Sequence, residues 1–430
     1  MNAVVLLSII LFAITRRNIA SLYAFFFALL PFHEFIKQTL MNFSGSVGVF
    51  PIWREILILL ILYRCLLLKK KVVFNNVVKL FFYILFITFL FFLTIGLSVN
   101  KESAVSIIRL ELMSMALMYS LSVIRITKDD VSVVLSGMAI SMFLLCVSGF
   151  VERFFLYFPI HLFMGNFERG GGFITSSFEI SGIQRMCGIM SGPNQFGVTM
   201  GLWIPLFYGA YQRLSQFHNK YMLLLLCLML TCLILSFSRA GWFLCFGSIL
   251  YYIVKTNKHF IKYLLGLFMV GALIIGIVSL LVPEVQEIIR DSLSGKESSA
   301  GTRREFLELG YAEILRDPVA HGLGSGRIDG KTFTESAALI MLYEIGFAGV
   351  LIFLLFYVTI IINARNKNSL GLLMPSIIVI LSIIVWVVSV NFDEAPFMMF
   401  LWGLMGVSIN KSIKQITLRN EKFSNSYTSL

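Results

Sequence analysis

Long apolar runs separated by short polar connections make up most of the chain. Each run is close to the roughly 20 apolar residues with which a helix crosses a bilayer. The pattern predicts about 13 membrane spans, or about 12 if one of the first two helices lies in the membrane interface. The expected spans are 2–15, 18–32, 52–68, 77–99, 104–124, 131–155, 192–211, 220–238, 240–256, 260–282, 335–363, 370–390 and 395–410. We therefore expect an all-α, polytopic transmembrane helical bundle that forms a single integral membrane domain over residues 1–430.

The longest polar stretch lies between two of these spans, at 283–334. Within it, the segment REFLELGYAEIL has apolar residues at positions that suit a helix lying on the membrane surface or against the bundle. Asp317 and Pro318 should end that helix, and HGLGSG then forms a flexible turn. A second, smaller polar loop is expected at 156–191.

The distribution of basic residues predicts the orientation of the chain, because cytoplasmic connections carry an excess of Lys and Arg. Alternate connections carry the basic groups Arg16–Arg17, Lys69–Lys71, Arg125 with Lys128, Arg213 with Lys220, Lys255 with Lys258, Arg365 with Lys367, and Lys411 with Lys414. These connections are expected in the cytoplasm, together with the C-terminus. The connections 33–51, 100–103, 156–191, 238–240, 283–334 and 391–394 are expected outside.

The composition agrees with a membrane protein. Only 13% of the residues are charged and 58% are hydrophobic, whereas a soluble domain has about 25% charged residues. The net charge of +12 is explained by the basic connections, so we do not expect nucleic-acid binding. The 6 cysteines show neither a pairing framework nor CxxC metal spacing, and we expect no structural disulfide, no metal site and no cofactor.

Two arginines expected on the outer side are candidates for binding an anion. Arg185 precedes the turn GPN, which contains Asn194 and opens a span, and amides freed at a helix N-terminus favour anions. Arg239 lies where two spans meet with almost no loop, in ILSFSRAGWFL, and a charge at the membrane boundary needs a carboxylate, a phosphate or water nearby. The alternative is that each arginine only anchors a helix end.

The long polar loop supplies further candidates. Arg303 and Arg304 open its helix, His321 is its only histidine, and Glu335 begins the following span. A carboxylate in that position either caps the helix or acts as a general base. Arg303 and Arg304 could equally form a solvated charge cluster, and His321 could be incidental.

Charged residues also interrupt the apolar runs. Arg109 and Glu111 lie within SIIRLELMSMALM, and Glu152 and Arg153 end a span near the outer face. Charges within a membrane usually face the bundle interior and mark a path or a site. Glu344, deeper in the span that follows the long loop, is interpreted as a paired packing or gating residue.

Several of these stretches together resemble the O-antigen polymerase and O-antigen ligase superfamily. The resemblance covers roughly residues 180–360. It depends on GPNQFGVTMGLWIPL after Arg185, on LSFSRAGW around Arg239, on the segment from Thr302 to GLGSG, and on the segment from Glu335 to YEIGFAG. It implies a membrane glycosyltransferase that takes an oligosaccharide from undecaprenyl pyrophosphate.

The resemblance also implies roles for individual residues. Arg185 and Arg239 match arginines that hold the pyrophosphate of the donor, and Arg303 matches the arginine that opens the loop helix. Ligases of the superfamily have His-Asn where this chain has Glu335–Ser336, which favours a Wzy-type polymerase with Glu335 as the base. The substrate sites would thus involve Arg185, Arg239, Arg303, Arg304, Asn194 and His321.

The implied reaction is a metal-independent, inverting transfer, because arginines can stabilise a pyrophosphate leaving group without a metal ion. The product would be a surface polysaccharide: O-antigen, capsule or exopolysaccharide. The expected location is the bacterial inner membrane with the active site outside, and a chain-length regulator and a flippase are possible partners. The alternatives are a ligase that transfers glycan to lipid A-core or protein, and a transporter of the lipid-linked glycan, which should show inverted repeats and broken helices.

Overall fold

A computed structural model of the chain describes residues 2–16, 18–44, 49–68, 75–156, 179–180, 183–190, 192–256, 298–328, 331–332, 336–365, 377, 381, 397–410 and 412. Helices dominate these residues. In chain order they are α1 (Asn2–Thr15), α2 (Ile19–Leu29), α3 (His33–Ser44), α4 (Trp53–Leu67), α5 (Asn76–Val99), α6 (Lys101–Ile107), α7 (Met113–Val123), α8 (Lys128–Val151), α9 (Pro193–Arg213), α10 (Lys220–Leu235), α11 (Arg239–Thr256), α12 (Ser298–Arg316), α13 (Ala337–Arg365) and α14 (Phe397–Ile409).

Short elements complete the described architecture. Two π-helical turns continue long helices, Ile108–Leu112 between α6 and α7 and Glu152–Leu156 after α8, and 3-10 turns occupy Leu30–Phe32, Phe50–Ile52 and Ser215–Phe217. Two antiparallel two-stranded ladders pair β1 (Glu179–Ile180) with β2 (Ile183–Gln184), and β3 (Arg327–Ile328) with β4 (Lys331–Thr332). π turns occur frequently at functional sites.

The chain is an all-α polytopic membrane protein. Within the described residues, five helical stretches have the length and apolar composition needed to cross a bilayer: Ile19–Lys37, Asn76–Val99, Lys101–Val123, Lys128–Leu156 and Ala337–Asn363. Every predicted span that falls on described residues is helical. The predicted span 260–282 lies outside the described residues, and of 370–390 only Ile377 and Leu381 are described, both helical. The predicted loop helix is confirmed as α12, which ends before Asp317. It begins at Ser298, so Arg303 and Arg304 lie in its second turn and do not open it.

Helix α9 is enclosed along most of its length. All its residues from Phe196 to Phe207 are buried. The segment includes two glycines, Gly197 and Gly201, and one proline, Pro205. It packs against α10 and α11, and the ring of Trp203 contacts Phe400 of α14 at 5.6 Å. A rigid central helix of this kind gives the residues at its N-terminus a fixed position.

Helices α2 and α8 run parallel, which defines two ends of the bundle. Gly137 packs on Ala24, and one turn further along both helices Ser141 Oγ donates a 2.9 Å hydrogen bond to the carbonyl of Ala28. The last residues of α2 and the π turn that starts at Glu152 therefore lie at the same end of the bundle.

Candidate functional site

Two helices begin side by side at the end of the bundle where Glu152 lies. Helix α9 starts at Pro193. The preceding residue, Gly192, has no side chain that could cap the first amides of the helix. Helix α11 starts at Arg239, only four residues after α10 ends at Leu235. Both N-termini carry the positive end of a helix dipole, and uncapped amides at such a terminus attract an anion.

The turn that joins α10 to α11 is tight and internally bonded. Phe237 adopts a left-handed backbone conformation with φ 49°, which is rare for a residue with a side chain. Ser238 Oγ accepts from the amide of Gly241 at 3.2 Å and so caps α11. Trp242 Nε1 donates to the carbonyl of Leu233 at 2.9 Å and ties α11 back to α10.

Small residues bring α9 and α11 into backbone contact. A Cβ atom on Gly197 would lie 2.2 Å from Cβ of Ser238, and one on Gly201 would lie 2.3 Å from the carbonyl oxygen of Gly241. Gly197 and Gly201 form a GxxxG spacing, which lets membrane helices approach closely. The contact fixes the start of α11 against the start of α9.

Arg185 lies between these two helix starts and is buried, with 7% of its surface exposed. Its Nε donates to the carbonyl of Ser236 at 3.0 Å. Its Nη2 donates to Oδ1 of Asn194 at 2.7 Å and to the carbonyl of Phe237 at 3.3 Å. The guanidinium thus joins the turn before α11 to the first turn of α9, and the sequence-predicted pair Arg185 and Asn194 is brought together.

Arg239 stands at the first position of α11 with an exposed side chain. The structure therefore gives the two predicted arginines different surroundings, one buried beneath the helix starts and the other open to the surface. An exposed guanidinium beside two helix N-termini is suited to contact an anionic ligand directly.

The segment that carries Arg185 is held by a buried carboxylate that sequence reasoning did not assign to it. Glu152 is completely buried, and its Oε2 accepts from the amides of Cys187, at 2.8 Å, and of Gly188. The thiol of Cys187 donates to Glu152 Oε1 at 3.0 Å. Arg153 Nη1 donates to the carbonyl of Gln184, so the π turn after α8 binds both sides of Arg185.

Cys187 is buried beside this carboxylate. Burial raises the pKa of the Cys187 thiol well above its ordinary value, and the negative charge and hydrogen bond of Glu152 raise it further, while Arg185 opposes the effect. The thiol is consequently held protonated, as a donor to Glu152. It serves in the packing of this segment and is not a reactive nucleophile.

A second structural unit forms where the long polar loop meets α13. The helix is broken at Gly346, which has φ 66°. The amides of His321 and Gly322 donate to the carbonyls of Tyr343 and Glu344 at 3.1 and 2.9 Å. The loop therefore supplies hydrogen bonds to carbonyls that the break would otherwise leave open within the membrane.

The same loop is pressed against α5 and α6. The amide of Leu323 donates to the carbonyl of Phe92 at 2.9 Å. Gly322 and Gly324 both have φ 89°, and a Cβ atom on either would lie within 2.6 Å of the backbone of Gly96 or Ala104. The sequence predicted a flexible turn at HGLGSG, but the structure shows a fixed one, because both glycines touch neighbouring backbone.

His321 packs in this unit and does not approach Arg185 or Arg239 through any contact that the structure shows. Its ring stacks on Tyr343 with centroids 4.1 Å apart, and its Nε2 lies 3.5 Å from Asp317 Oδ2. That separation is too long for a strong hydrogen bond.

Three predicted site residues lack described side chains. Glu335 lies outside the described residues, and the helix positions of Arg303 and Arg304 in α12 are described while their side chains are not. The described Ser336 is buried immediately before α13. Within the described part of the chain, no group of three or more His, Cys, Asp and Glu residues is arranged to hold a metal ion.

Comparison with known proteins supplies a family for part of the chain. Residues 224–354 match the family model described as O-Antigen ligase, which identifies this segment as a domain of the O-antigen polymerase and ligase superfamily. The matched segment includes the SFSR turn, α11, α12, the loop that docks on α13 and the break at Gly346. No curated protein and no solved structure matches the chain.

Proposed function

From the match of residues 224–354 to the O-antigen ligase family, we propose that the chain is a polymerase of lipid-linked glycans. It would join repeat units carried on undecaprenyl pyrophosphate into a surface polysaccharide, at the outer face of the bacterial inner membrane. The observation that carries the proposal is the exposed Arg239 at the start of α11, beside the uncapped start of α9. This arrangement suits a pyrophosphate at a membrane boundary.

The proposed reaction needs an anion site, a base and no further group. A hydroxyl of the acceptor sugar attacks the anomeric carbon of the donor, and the bond from that carbon to the pyrophosphate oxygen breaks. The leaving undecaprenyl pyrophosphate keeps the electron pair, and Arg239 with the α9 amides stabilises its charge. The hydroxyl proton passes to a base, for which we propose Glu335, and the single displacement inverts the anomeric centre.

The other site residues have supporting roles in this proposal. Arg185 is already bonded to three acceptors, so it fixes the anion site in place and adds positive charge below it. Asn194 orients Arg185. Arg303 and Arg304 would contact the glycan from the N-terminal half of α12.

The experiment is the length distribution of surface polysaccharide in a deletion strain that carries wild-type or variant protein. Arg239→Gln and Glu335→Gln should reduce the ladder to a single repeat unit, and Arg239→Lys should restore part of it. Arg316→Gln is the matched control, because Arg316 is an exposed arginine on the same polar loop at the opposite end of α12 from Arg303. Full-length ladders in both Gln variants at normal protein levels would disprove the assignment.

A ligase is the second candidate, because the matching family model is described as O-Antigen ligase. In that case the same strain would accumulate long chains on the lipid carrier, with none on the final acceptor. Separating carrier-linked from acceptor-linked glycan by mild acid hydrolysis distinguishes the two activities.

A further inference from the structure

A second group of charged side chains lies at the same end of the bundle, around the starts of α3 and α4. We call it the Arg54 cluster, and its members are His33, Glu34, Lys37, Arg54, Glu55 and Arg109. It is placed at this end because His33 follows α2 after the 3-10 turn Leu30–Phe32, and α2 runs parallel to α8 toward Glu152. The proposed reaction assigns it no role.

Most members of the cluster are paired with one another. Lys37 Nζ lies 3.1 Å from Glu34 Oε2. Arg109, on the π turn after α6, lies 2.7 Å from Glu55 Oε1 through its Nε and donates to the carbonyl of Pro51 at 3.0 Å. Each of these two carboxylates therefore already has a cationic partner.

His33 contributes no charge in this arrangement. Its Nδ1 accepts a 2.9 Å hydrogen bond from Trp53 Nε1, which requires that this nitrogen carries no proton. The ring is also buried and stacked on Phe50 with centroids 5.9 Å apart. A neutral histidine leaves the charge balance of the cluster to the other five residues.

Arg54 is the member whose charge is not matched. Its Nε is buried and has no hydrogen-bond partner among the described residues. The two carboxylates of the cluster, Glu55 and Glu34, are paired with Arg109 and Lys37. Glu111, buried on the same π turn as Arg109, is not a member of the cluster. A guanidinium at a membrane boundary with no anion of its own is costly.

We propose that the Arg54 cluster binds the phosphate head group of a second lipid-linked glycan, the acceptor of the polymerase reaction. This inference rests on the proposed function, because a polymerase consumes two lipid diphosphates and a ligase only one. A guanidinium group can donate two parallel hydrogen bonds to the oxygens of one phosphate. The side chains of Arg109 and Lys37, in the same cluster as Arg54, are about one-third exposed. The head group is therefore able to reach the cluster.

The cluster is connected to the loop that docks on α13 by one continuous stretch of helix. Arg109 lies on the π turn that continues α6, and the backbone of Ala104 in α6 is in contact with Gly324 of the loop that docks on α13. An acceptor held at Arg54 would thus be linked through α6 to this loop, and it would lie at the same end of the bundle as the proposed donor site.

The test counts lipid diphosphates bound to the purified full-length chain by native mass spectrometry. The probes are undecaprenyl pyrophosphate and, separately, phosphatidylglycerol, because both offer a phosphate head group. Wild-type protein should bind two equivalents of undecaprenyl pyrophosphate, and Arg54→Gln should bind one of them at least tenfold more weakly. Arg54→Lys should recover part of the binding, which excludes simple misfolding. Arg64 lies at the other end of α4, so Arg64→Gln should still bind two equivalents of undecaprenyl pyrophosphate.

Two results would overturn the inference. One is two equivalents of undecaprenyl pyrophosphate on Arg54→Gln with wild-type affinity, and the other is a loss restricted to phosphatidylglycerol. Arg239→Gln keeps the two proposals distinguishable, because it should lose the equivalent that Arg54→Gln retains. If Arg239→Gln still binds two equivalents, the proposed donor site is wrong regardless of the result at Arg54.

Discussion

A Cβ atom on Gly241 would lie 2.4 Å from the carbonyl carbon of Gly197, so the backbones of α11 and α9 touch with no side chain between them. This contact sets the distance between the two helix starts on which the proposed anion site depends. Its tolerance to added volume is therefore the first property to measure.

Gly241→Ala and Gly201→Ala should both destabilise the protein, because each added Cβ would meet backbone of the facing helix, and backbone cannot move aside as a side-chain end can. Overpacking of this kind costs about 1–3 kcal/mol. Gly192→Ala is the control, since a Cβ atom there would meet nothing within 4 Å. Thermal unfolding in detergent should show a lower midpoint for the first two variants only, and equal midpoints for all three would contradict the close contact.

Arg185 and Arg239 should differ in what their removal changes. Arg185→Gln leaves buried carbonyls and Asn194 without their donor, which costs about 1–3 kcal/mol of folding stability. Arg239→Gln changes an exposed side chain, so its stability should stay within about 0.5 kcal/mol of wild type while polymer synthesis falls. The comparison requires, for each variant, the unfolding midpoint of the purified protein and the glycan ladder of the cells that produce it. An equal loss of stability in both variants would show that Arg239 is also structural.

Glu152→Ala should loosen the segment that carries Arg185, because two amides and a thiol lose their acceptor. Each buried N–H left without a partner costs about 1–3 kcal/mol. Cys187 is buried in the wild type, so peptide mapping after maleimide treatment should find it labelled only in the variant. Glu152→Gln keeps one carbonyl acceptor, so the extent of Cys187 labelling in this variant should lie between those of wild type and Glu152→Ala. Unlabelled Cys187 in Glu152→Ala would mean that other contacts hold the segment.

The stability of the protein should depend on the Cys187 thiol at alkaline pH. Burial and Glu152 raise the pKa of this thiol in the folded chain, so the unfolded chain loses the proton first, near a pH of about 8.5. The stabilisation is present below that pH and is lost as the pH rises, by up to about 1.4 kcal/mol per pH unit. The difference in unfolding free energy between wild type and Cys187→Ala should therefore shrink above pH 8.5. A constant difference from pH 7 to 10 would contradict the raised pKa.

Gly346→Ala should detach the loop from α13. The residue has φ 66° and ψ 178°, a conformation that costs a residue with a Cβ atom about 1–3 kcal/mol, and its Cβ would approach Ala320 at 3.2 Å. Limited proteolysis should then cut the segment around His321 faster than in wild type. Gly192→Ala again controls for the substitution itself, and unchanged cleavage would show that the loop is held by its contacts with α5 and α6.

The helices could be predicted from the sequence because apolar runs of membrane-spanning length have few other solutions in lipid. The position of Arg239 between two adjoining helices could also be predicted, since the connection is too short to hold it anywhere else. Helix α12 followed from its apolar spacing and from the stop signal at Asp317–Pro318. The membrane helices, the position of Arg239 and helix α12 all depend on residues that are close together in the sequence.

The contacts that build the site could not be predicted in this way. Glu152 and Cys187 are 35 residues apart, and nothing in a single sequence pairs a carboxylate with a backbone amide at that distance. The π turns at Arg109 and Glu152 keep helical spacing closely enough that periodicity does not reveal them. Arg54 stood next to Glu55 in the sequence, and only the structure showed that Glu55 is paired with Arg109.

Because α13 is broken at Gly346, the loop and α13 form one structural unit. Carbonyls of α13 find their donors on His321 and Gly322, so neither piece is complete when it is transplanted without the other. Transfer of this loop between related chains should therefore move residues 320–349 as one block. A chimera joined inside that block would carry a helix with open carbonyls in lipid and a loop with nowhere to dock.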